Sequence, residues 1–246
     1  MSSFNNIFNL NKDVAASSAV AEEDMIPLKT YLKKFGAYDT PSYGMTEYPD
    51  NELFEGIKTY QRKNNLIVDG TMKREGETIA SMNKELSQHK PSRLSFNGKE
   101  LSWYEDDHKV ASWKGMSGNP GYQCKEYDVI KNKGPLPEGK WLVRQSQHQN
   151  FYKDQSKIDQ MISNYGMGIF GKWRGGQGSW GNNRVWLEPA KGTDNKNRTN
   201  LSIHGGKEYG SSGCIDLTDK MDEFTNRFKN YGHDMILDVK YDEDCW

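Results

Sequence analysis

The first organised stretch of the chain carries apolar residues at helical spacing. In "LKTYLKKFGAY", Leu28, Tyr31, Leu32 and Phe35 recur every three or four positions, and Gly36 supplies a stop. "NELFEGIKTYQRKNN" repeats the pattern with Leu53, Phe54, Ile57 and Tyr60 on one face. "LIVDG" then ends in the turn dipeptide Asp69-Gly70, and "ETIASMNKEL" sets Ile79, Met82 and Leu86 for a third helix. Short helices joined by tight turns predict a small helical domain over residues 26–89, closed by a polar linker over 90–94 that contains Pro91.

Beyond the linker the period changes from helical to alternating. "RLSFNGKELSWY", "KVASWKGMSG", "KWLVRQSQ", "NRVWLEPA", "NLSIHG" and "MILDVKYD" are short runs rich in β-branched and aromatic residues, separated by Gly, Pro and Asn. Asn97-Gly98 marks a hairpin, and the prolines of "GPLPEGKWLV" fix an extended entry into a strand. Only "TDKMDEFTNRFKNYG" reads as a helix, with Met221, Phe224 and Phe228 on one face. The fold class expected is therefore α+β and multidomain: a three-helix N-terminal domain, then a mainly β domain over 95–246. Residues 1–25 interrupt every apolar run with Asn, Asp, Lys or Ser. No export signal is legible there, and a flexible tail is expected.

Composition narrows the function. The chain has 246 residues, room for two domains, and a formal net charge of −1. Without clustered Lys and Arg, neither nucleic acid nor an anionic membrane surface is an expected partner. No window approaches the ~18 apolar residues of a membrane-spanning helix. The three cysteines, Cys124, Cys214 and Cys245, are too few for a disulfide framework. If one is a free nucleophile, the other two remain available to pair. His108, His148 and His233 lack the close paired spacing of a metal site with these cysteines, so no metal and no cofactor is expected. Trp103, Trp113, Trp141 and Trp186 fall within strands, where packing is their default role. The Gly- and aromatic-rich stretch over 163–183 is long enough to act as a lid.

The candidate chemistry lies in "LSIHGGKEYGSSGCIDLT", Leu201–Thr218. A thiol is a useful nucleophile as thiolate, and a nearby imidazole can take its proton. His204 ends an apolar strand, and Gly205-Gly206 lets the chain turn sharply after it. Cys214 follows Ser211, Ser212 and Gly213, whose backbone N–H groups can serve as an oxyanion hole. The helix after "CIDLT" would begin near this turn, with its positive end toward a thiolate if the axis points that way.

Two resemblances add to this reading. "GIKTYQRKNNLIVDGTM" resembles the peptidoglycan-binding domain of bacterial wall enzymes, in which aromatic-Gln-Arg on a helix precedes Leu-x-Val-Asp-Gly. "IHGG", a short loop and "SSGCI" resemble the L,D-transpeptidase catalytic domain, and more closely the compact branch that includes type VI secretion effectors. "SGNPGY", "NKGPLPEGKW" and "NRTNLSIHGG" extend that resemblance over Leu94–Tyr241. The resemblance implies Cys214 as nucleophile, His204 as base and the Gly205 carbonyl as the group orienting the imidazole. It places Ser211 at the Ser/Thr of the motif, with Gly213 and Cys214 supplying oxyanion N–H groups. Ser212 stands where many members have a second His, and Asp216 where Asn or Arg is usual, so Arg184, Arg198 or Lys207 would have to supply positive charge to the substrate.

The implied activity is acyl transfer through a thioester on tetrapeptide stems, as L,D-carboxypeptidase, L,D-transpeptidase or D-amino-acid exchange, with peptidoglycan as partner. The branch, together with the unread export signal, implies delivery by a contact-dependent secretion system, action in the periplasm of a target cell as an antibacterial toxin, and a cognate immunity protein. The alternatives are a housekeeping periplasmic L,D-transpeptidase and a wall-binding protein without turnover.

Overall fold

A computed structural model describes residues 8–164, 173 and 175–242 of the chain. Two compact units result, residues 1–90 with 229–232, and residues 91–228 with 233–246. The first is helical and the second mainly β, an α+β architecture. Among the described residues no helix is long and apolar enough to cross a membrane.

The first unit holds helices α1 (Glu22–Lys34), α2 (Asn51–Lys63) and α3 (Glu77–Leu86). Each begins with acidic and ends with basic residues, matching the helix dipole. Asp50 caps α2 by accepting from the Leu53 N–H at 2.8 Å. Leu28, Leu32, Leu53, Ile57, Tyr60, Ile79, Met82 and Leu86 bury the face that the spacing predicts.

The expectation of a flexible tail over residues 1–25 is corrected for residues 8–25, residues 1–7 lying outside the described residues. Phe8, Leu10 and Val14 are buried in the same core, and Val14 exchanges backbone hydrogen bonds with Met72 at 2.8 and 2.9 Å. The buried Asp24 carboxylate accepts from the Asn11 and Lys12 backbone, and α1 starts at Glu22 rather than Ile26. These apolar residues are too sparse to form a period, yet each fills a slot between helices formed by distant sequence.

Polar knots tie the connecting loops. The buried Gln61 amide donates to Asp69 Oδ1, the Thr71 carbonyl and Thr78 Oγ1 at 2.9–3.1 Å, and its oxygen accepts from the Asp69 and Gly70 N–H groups. This explains why Gln on the helix and Asp-Gly in the loop occur together. Val68 is 45% exposed, because the loop turns its backbone inward to Gln61. Lys29 is fully buried, and its ammonium bonds Asp50 at 2.5 Å and the Tyr48 carbonyl at 2.7 Å.

In the second unit the chain runs β1 (Arg93–Phe96), β2 (Glu100–Glu105), β3 (His108–Lys114), β4 (Met116–Gly118), β5 (Gly139–Asn150), α4 (Phe151–Asp154), α5 (Lys157–Asn164), α6 (Gly176–Trp180), β6 (Asn183–Pro189), β7 (Ser202–His204), β8 (Ser211–Asp216), α7 (Met221–Tyr231) and β9 (Met235–Val239). The strands form one sheet in the order β3-β2-β1-β9-β5-β6-β7-β8-β4. The hairpin at Asn97-Gly98 joins β1 to β2, with Gly98 at φ +99° and Asn97 Oδ1 accepting from Lys99 and Glu100. Phe224 of α7 meets Trp103 and Trp113 edge-on at 6.5 and 5.4 Å and stacks on Phe228, which seals one face of the sheet. Trp103, Trp113 and Trp141 are all buried.

Lys29→Met strips Asp50 of its cation and leaves its carboxylate half-satisfied beside a buried apolar chain. Urea unfolding is expected to show a loss of about 3 kcal/mol for the transition of the helical unit.

Candidate active site

The two halves of the 201–218 stretch lie on neighbouring strands. β7 pairs in parallel with β8, with Ile203 opposite Ile215 and His204 opposite Asp216. β6 pairs antiparallel with β7, with Arg184 opposite His204 and Trp186 opposite Ser202. Because side chains alternate along a strand, Arg184, Trp186, Ser202, His204, Cys214 and Asp216 share one face. Cys214 is thus part of a strand rather than mounted on a turn, as its sequence surroundings suggested.

His204, Cys214 and Asp216 line a cavity of about 770 Å³ together with Lys131, Trp180 and Lys207. This volume suits a peptide-sized ligand. His204 is 2% exposed, and its Nδ1 donates to the Gly205 carbonyl at 2.5 Å. A carbonyl only accepts, so Nδ1 carries the proton and Nε2 is the free base. Burial first, and then the charge of Arg184, pull the imidazole pKa down to about 4. The ring meets Trp180 edge-on at 4.9 Å.

Cys214 is the free cysteine among the described residues, and it is 6% exposed. Burial pushes its thiol above the ordinary value, opposed by a hydrogen bond from Ser202 Oγ at 3.4 Å and by the charge of Arg198. The thiol itself faces the Asn200 carbonyl at 3.8 Å. The resting pair is therefore a neutral imidazole and a protonated thiol. Ser202 was missed in the sequence, although its place two residues before His204 puts it on the same strand face.

The proposed cationic residues separate on inspection. Arg198 lines the cavity, and its guanidinium donates to the carbonyls of Asp128, Gly134, Pro135 and Ser212, so its donors hold the loop before β5 against β8. A Cβ on Gly213 would lie 1.7 Å from Arg198 Nη2, and the backbone there has φ +104°. Glycine is required at 213 for both reasons. Arg184 is 4% exposed and sits over Trp173, Trp186 and Trp180 at 4.2, 4.5 and 5.0 Å, outside the cavity lining. Desolvation lowers its pKa to about 10, so it stays charged at neutral pH. Lys207 also lines the cavity, as does Lys131.

Ser211 Oγ donates to the Cys214 carbonyl at 2.7 Å, while Ser212 is exposed on the cavity wall. The helix expected behind Cys214 begins only at Met221, after a 3-10 turn over Thr218–Lys220, and its start abuts Gly205. Of the lid candidate over 163–183, residues 165–172 and 174 lie outside the described residues. The described part straps onto the turn after His204, where Gly205 donates to the Trp180 carbonyl and Lys207 to the Gly178 carbonyl. Cys124 is disulfide-bonded, and Cys245 lies outside the described residues. Among the described residues no three His, Cys, Asp or Glu gather to hold a metal ion.

Comparison with known proteins bears mainly on the first unit. Residues 21–75 match a family model described as "Putative peptidoglycan binding domain". No curated protein matches the chain in sequence. Among solved structures, the chain is similar to Bd1075 of Bdellovibrio bacteriovorus, at 12% identity and TM-score 0.39, over 60% of this chain and 47% of that one. The chain thus spans about half the length of that relative. It is also similar to an L,D-transpeptidase of Xylanimonas cellulosilytica, at 12% identity and TM-score 0.34 over 95% and 97% of the two chains. A third, an L,D-transpeptidase of Stackebrandtia nassauensis, has 14% identity and TM-score 0.32 over 98% of each.

The electrostatics predict a distinctive titration. A thiol held protonated by burial beside a neutral imidazole should be alkylated by iodoacetamide at a rate that climbs through pH 9. A plateau already reached at about pH 6 would instead reveal a thiolate–imidazolium pair.

Proposed function

We propose that this protein modifies peptidoglycan by cysteine-dependent acyl transfer, as an L,D-transpeptidase-like enzyme with a wall-binding unit in front. The observation that carries the reading is the pairing in one cavity of a free cysteine with a histidine whose Nδ1 is fixed on the Gly205 carbonyl. That bond turns Nε2 toward service as a base. His204 Nε2 takes the proton of Cys214 as the sulfur attacks the stem amide, forming a tetrahedral oxyanion. The same nitrogen returns the proton to the departing D-alanine amine, leaving a thioester. Water or an amine then attacks the thioester carbonyl, and the thiol is restored. Water gives L,D-carboxypeptidase activity; an amine gives cross-linking or D-amino-acid exchange. Backbone N–H groups around Gly213 and Cys214 receive the oxyanion charge.

The match over residues 21–75 supports peptidoglycan as partner. Beside its Gln61 knot, a small cavity of about 190 Å³ is lined by Ile67, Asp69, Lys73 and Glu77, with Ile67 left 70% exposed. This is the surface we assign to wall contact. The disulfide at Cys124 suits an oxidising compartment such as the periplasm. The resemblance of the "IHGG…SSGCI" motif to type VI secretion effectors supports a toxin role there, with an immunity protein as antagonist.

Incubation of purified protein with isolated muropeptides, followed by mass spectrometry, tests the activity. Wild type should remove D-alanine from tetrapeptides or create L,D cross-links. Cys214→Ala should lose about 10³-fold or more, and His204→Ala about 10²- to 10⁴-fold, with the fold retained by circular dichroism. Turnover surviving in Cys214→Ala would eliminate the thioester route.

A further inference from the structure

One charged group in the cavity has no task in acyl transfer. Asp216 is 2% exposed and lines the cavity on the same face as His204 and Cys214. Its Oδ1 accepts from the Thr218 N–H at 2.8 Å. Among the described residues its Oδ2 has no hydrogen-bond partner, and no Lys or Arg stands within salt-bridge distance. This oxygen opens onto the cavity, where a ligand donor can complete its hydrogen bonding.

The surroundings of Oδ2 are specific. The point where residue 206 would carry a Cβ lies 3.2 Å from the Ser179 carbonyl oxygen, 3.4 Å from the Gly178 carbonyl oxygen and 3.4 Å from Asp216 Oδ2. The two α6 carbonyls and the β8 carboxylate therefore crowd around Gly206, and Gly178, Ser179 and Asp216 all line the cavity. The Gly178 oxygen also accepts from the Lys207 N–H, which fixes its direction and leaves a second lone pair. An all-acceptor corner with one negative charge suits a group with three donors and one positive charge. A primary ammonium is that group.

We infer that Asp216, with the Gly178 and Ser179 carbonyls, forms an ammonium-binding subsite beside the nucleophile, taking a primary amine carried by the stem peptide or by the acceptor. The inference rests on the proposed role of Cys214, and it makes the departure from Asn or Arg at this position a determinant of specificity. It also couples binding to activation. The Asp216 charge is among the influences that hold the Cys214 thiol up, and burial raises the carboxyl itself to about 7. The other charged or titratable groups around this corner are His204 from β7, Lys207 from the following turn, Arg184 opposite His204 on β6, and Arg198 at the cavity wall, both arginines acting on Cys214 through their charge. An ammonium on Asp216 cancels the unfavourable charge, so the thiolate forms more readily once the substrate is in place.

The test reads the thiol directly, so it stands apart from turnover. The pH midpoint of iodoacetamide alkylation of Cys214 is measured in the full chain, with n-propylammonium chloride or with sodium chloride at equal ionic strength. In wild type the amine should lower the midpoint by about one unit relative to sodium. Asp216→Asn keeps the Thr218 bond and should show an already lowered midpoint with no response to the amine. Gly206→Ala keeps the carboxylate but fills the corner, and should keep the wild-type midpoint and lose the amine response. No amine response in folded wild type, or an equal response in Asp216→Asn, overturns the subsite.

Muropeptides then separate the two sources. If acetylation of the free diamino-acid amine of the donor lowers kcat/KM for hydrolysis about tenfold in wild type and not in Asp216→Asn, the donor supplies the ammonium. If hydrolysis is unchanged and only transfer to the amine acceptor falls in Asp216→Asn, the acceptor supplies it. Absence of turnover in wild type, with the thiol response intact, would remove the acyl-transfer reading and leave the amine subsite standing.

Discussion

The pairing of β6, β7 and β8 is the constraint from which the site follows. His204 lies opposite Arg184 on one side and opposite Asp216 on the other, while Ser202 lies beside Cys214. Side chains alternate strictly along each strand, so a slip of one residue in either pairing would turn the imidazole or the thiol to the opposite face. Two features protect the register. Arg198 ties the backbone before Cys214 to the carbonyls at 128, 134 and 135, and Gly205-Gly206 lets the α6 strap close onto the turn after β7. Any side chain at Gly205 would meet the Thr218 carbonyl at 2.8 Å, which would push this turn away from α7.

Burial then decides the charge state of each group. His204 and Cys214 both lose solvent, and both move toward their neutral forms: the imidazole acid-ward, the thiol base-ward. Neutrality suits a general base that must accept a proton in the reaction rather than hold one beforehand. Arg184 contributes a fixed positive charge from the neighbouring strand, where tryptophan faces and Gln149 Oε1 at 2.7 Å replace its hydration. That charge disfavours imidazolium and favours thiolate, so it acts in the same sense on both partners. Asp216 acts in the opposite sense on the thiol, which is why the group that neutralises it matters.

The first unit uses the same economy of polar groups for a different end. Gln61 and Lys29 each satisfy several loop atoms that no helix or strand pairs, and so each fixes a connection rather than adding to the apolar core. The loop held by Gln61 presents Ile67 and Val68 outward beside polar side chains. Rigid loops that display a few apolar groups bind with little loss of conformational freedom.

Much of the chain could be read before any coordinates. The helical period of Leu53, Ile57 and Tyr60, the alternation from Leu94 onward and the Asn97-Gly98 turn are local properties, and local physics placed those elements. The residue types of the cavity were equally visible, since His204 and Cys214 stand close together in glycine-rich sequence, although both are buried in strands. Long-range packing was not visible. Phe8, Leu10 and Val14 show no period because their partners are helices elsewhere in the chain, and Ser202 and Trp180 acquire meaning only through the neighbours that strand pairing gives them. Arg184 and Arg198 looked equivalent to Lys207 as sources of charge. Tertiary structure alone decided that Arg184 is enclosed by tryptophan faces and that Arg198, at the cavity wall, gives its donors to backbone carbonyls, while Lys207 lines the cavity, because burial belongs to the fold and not to the residue.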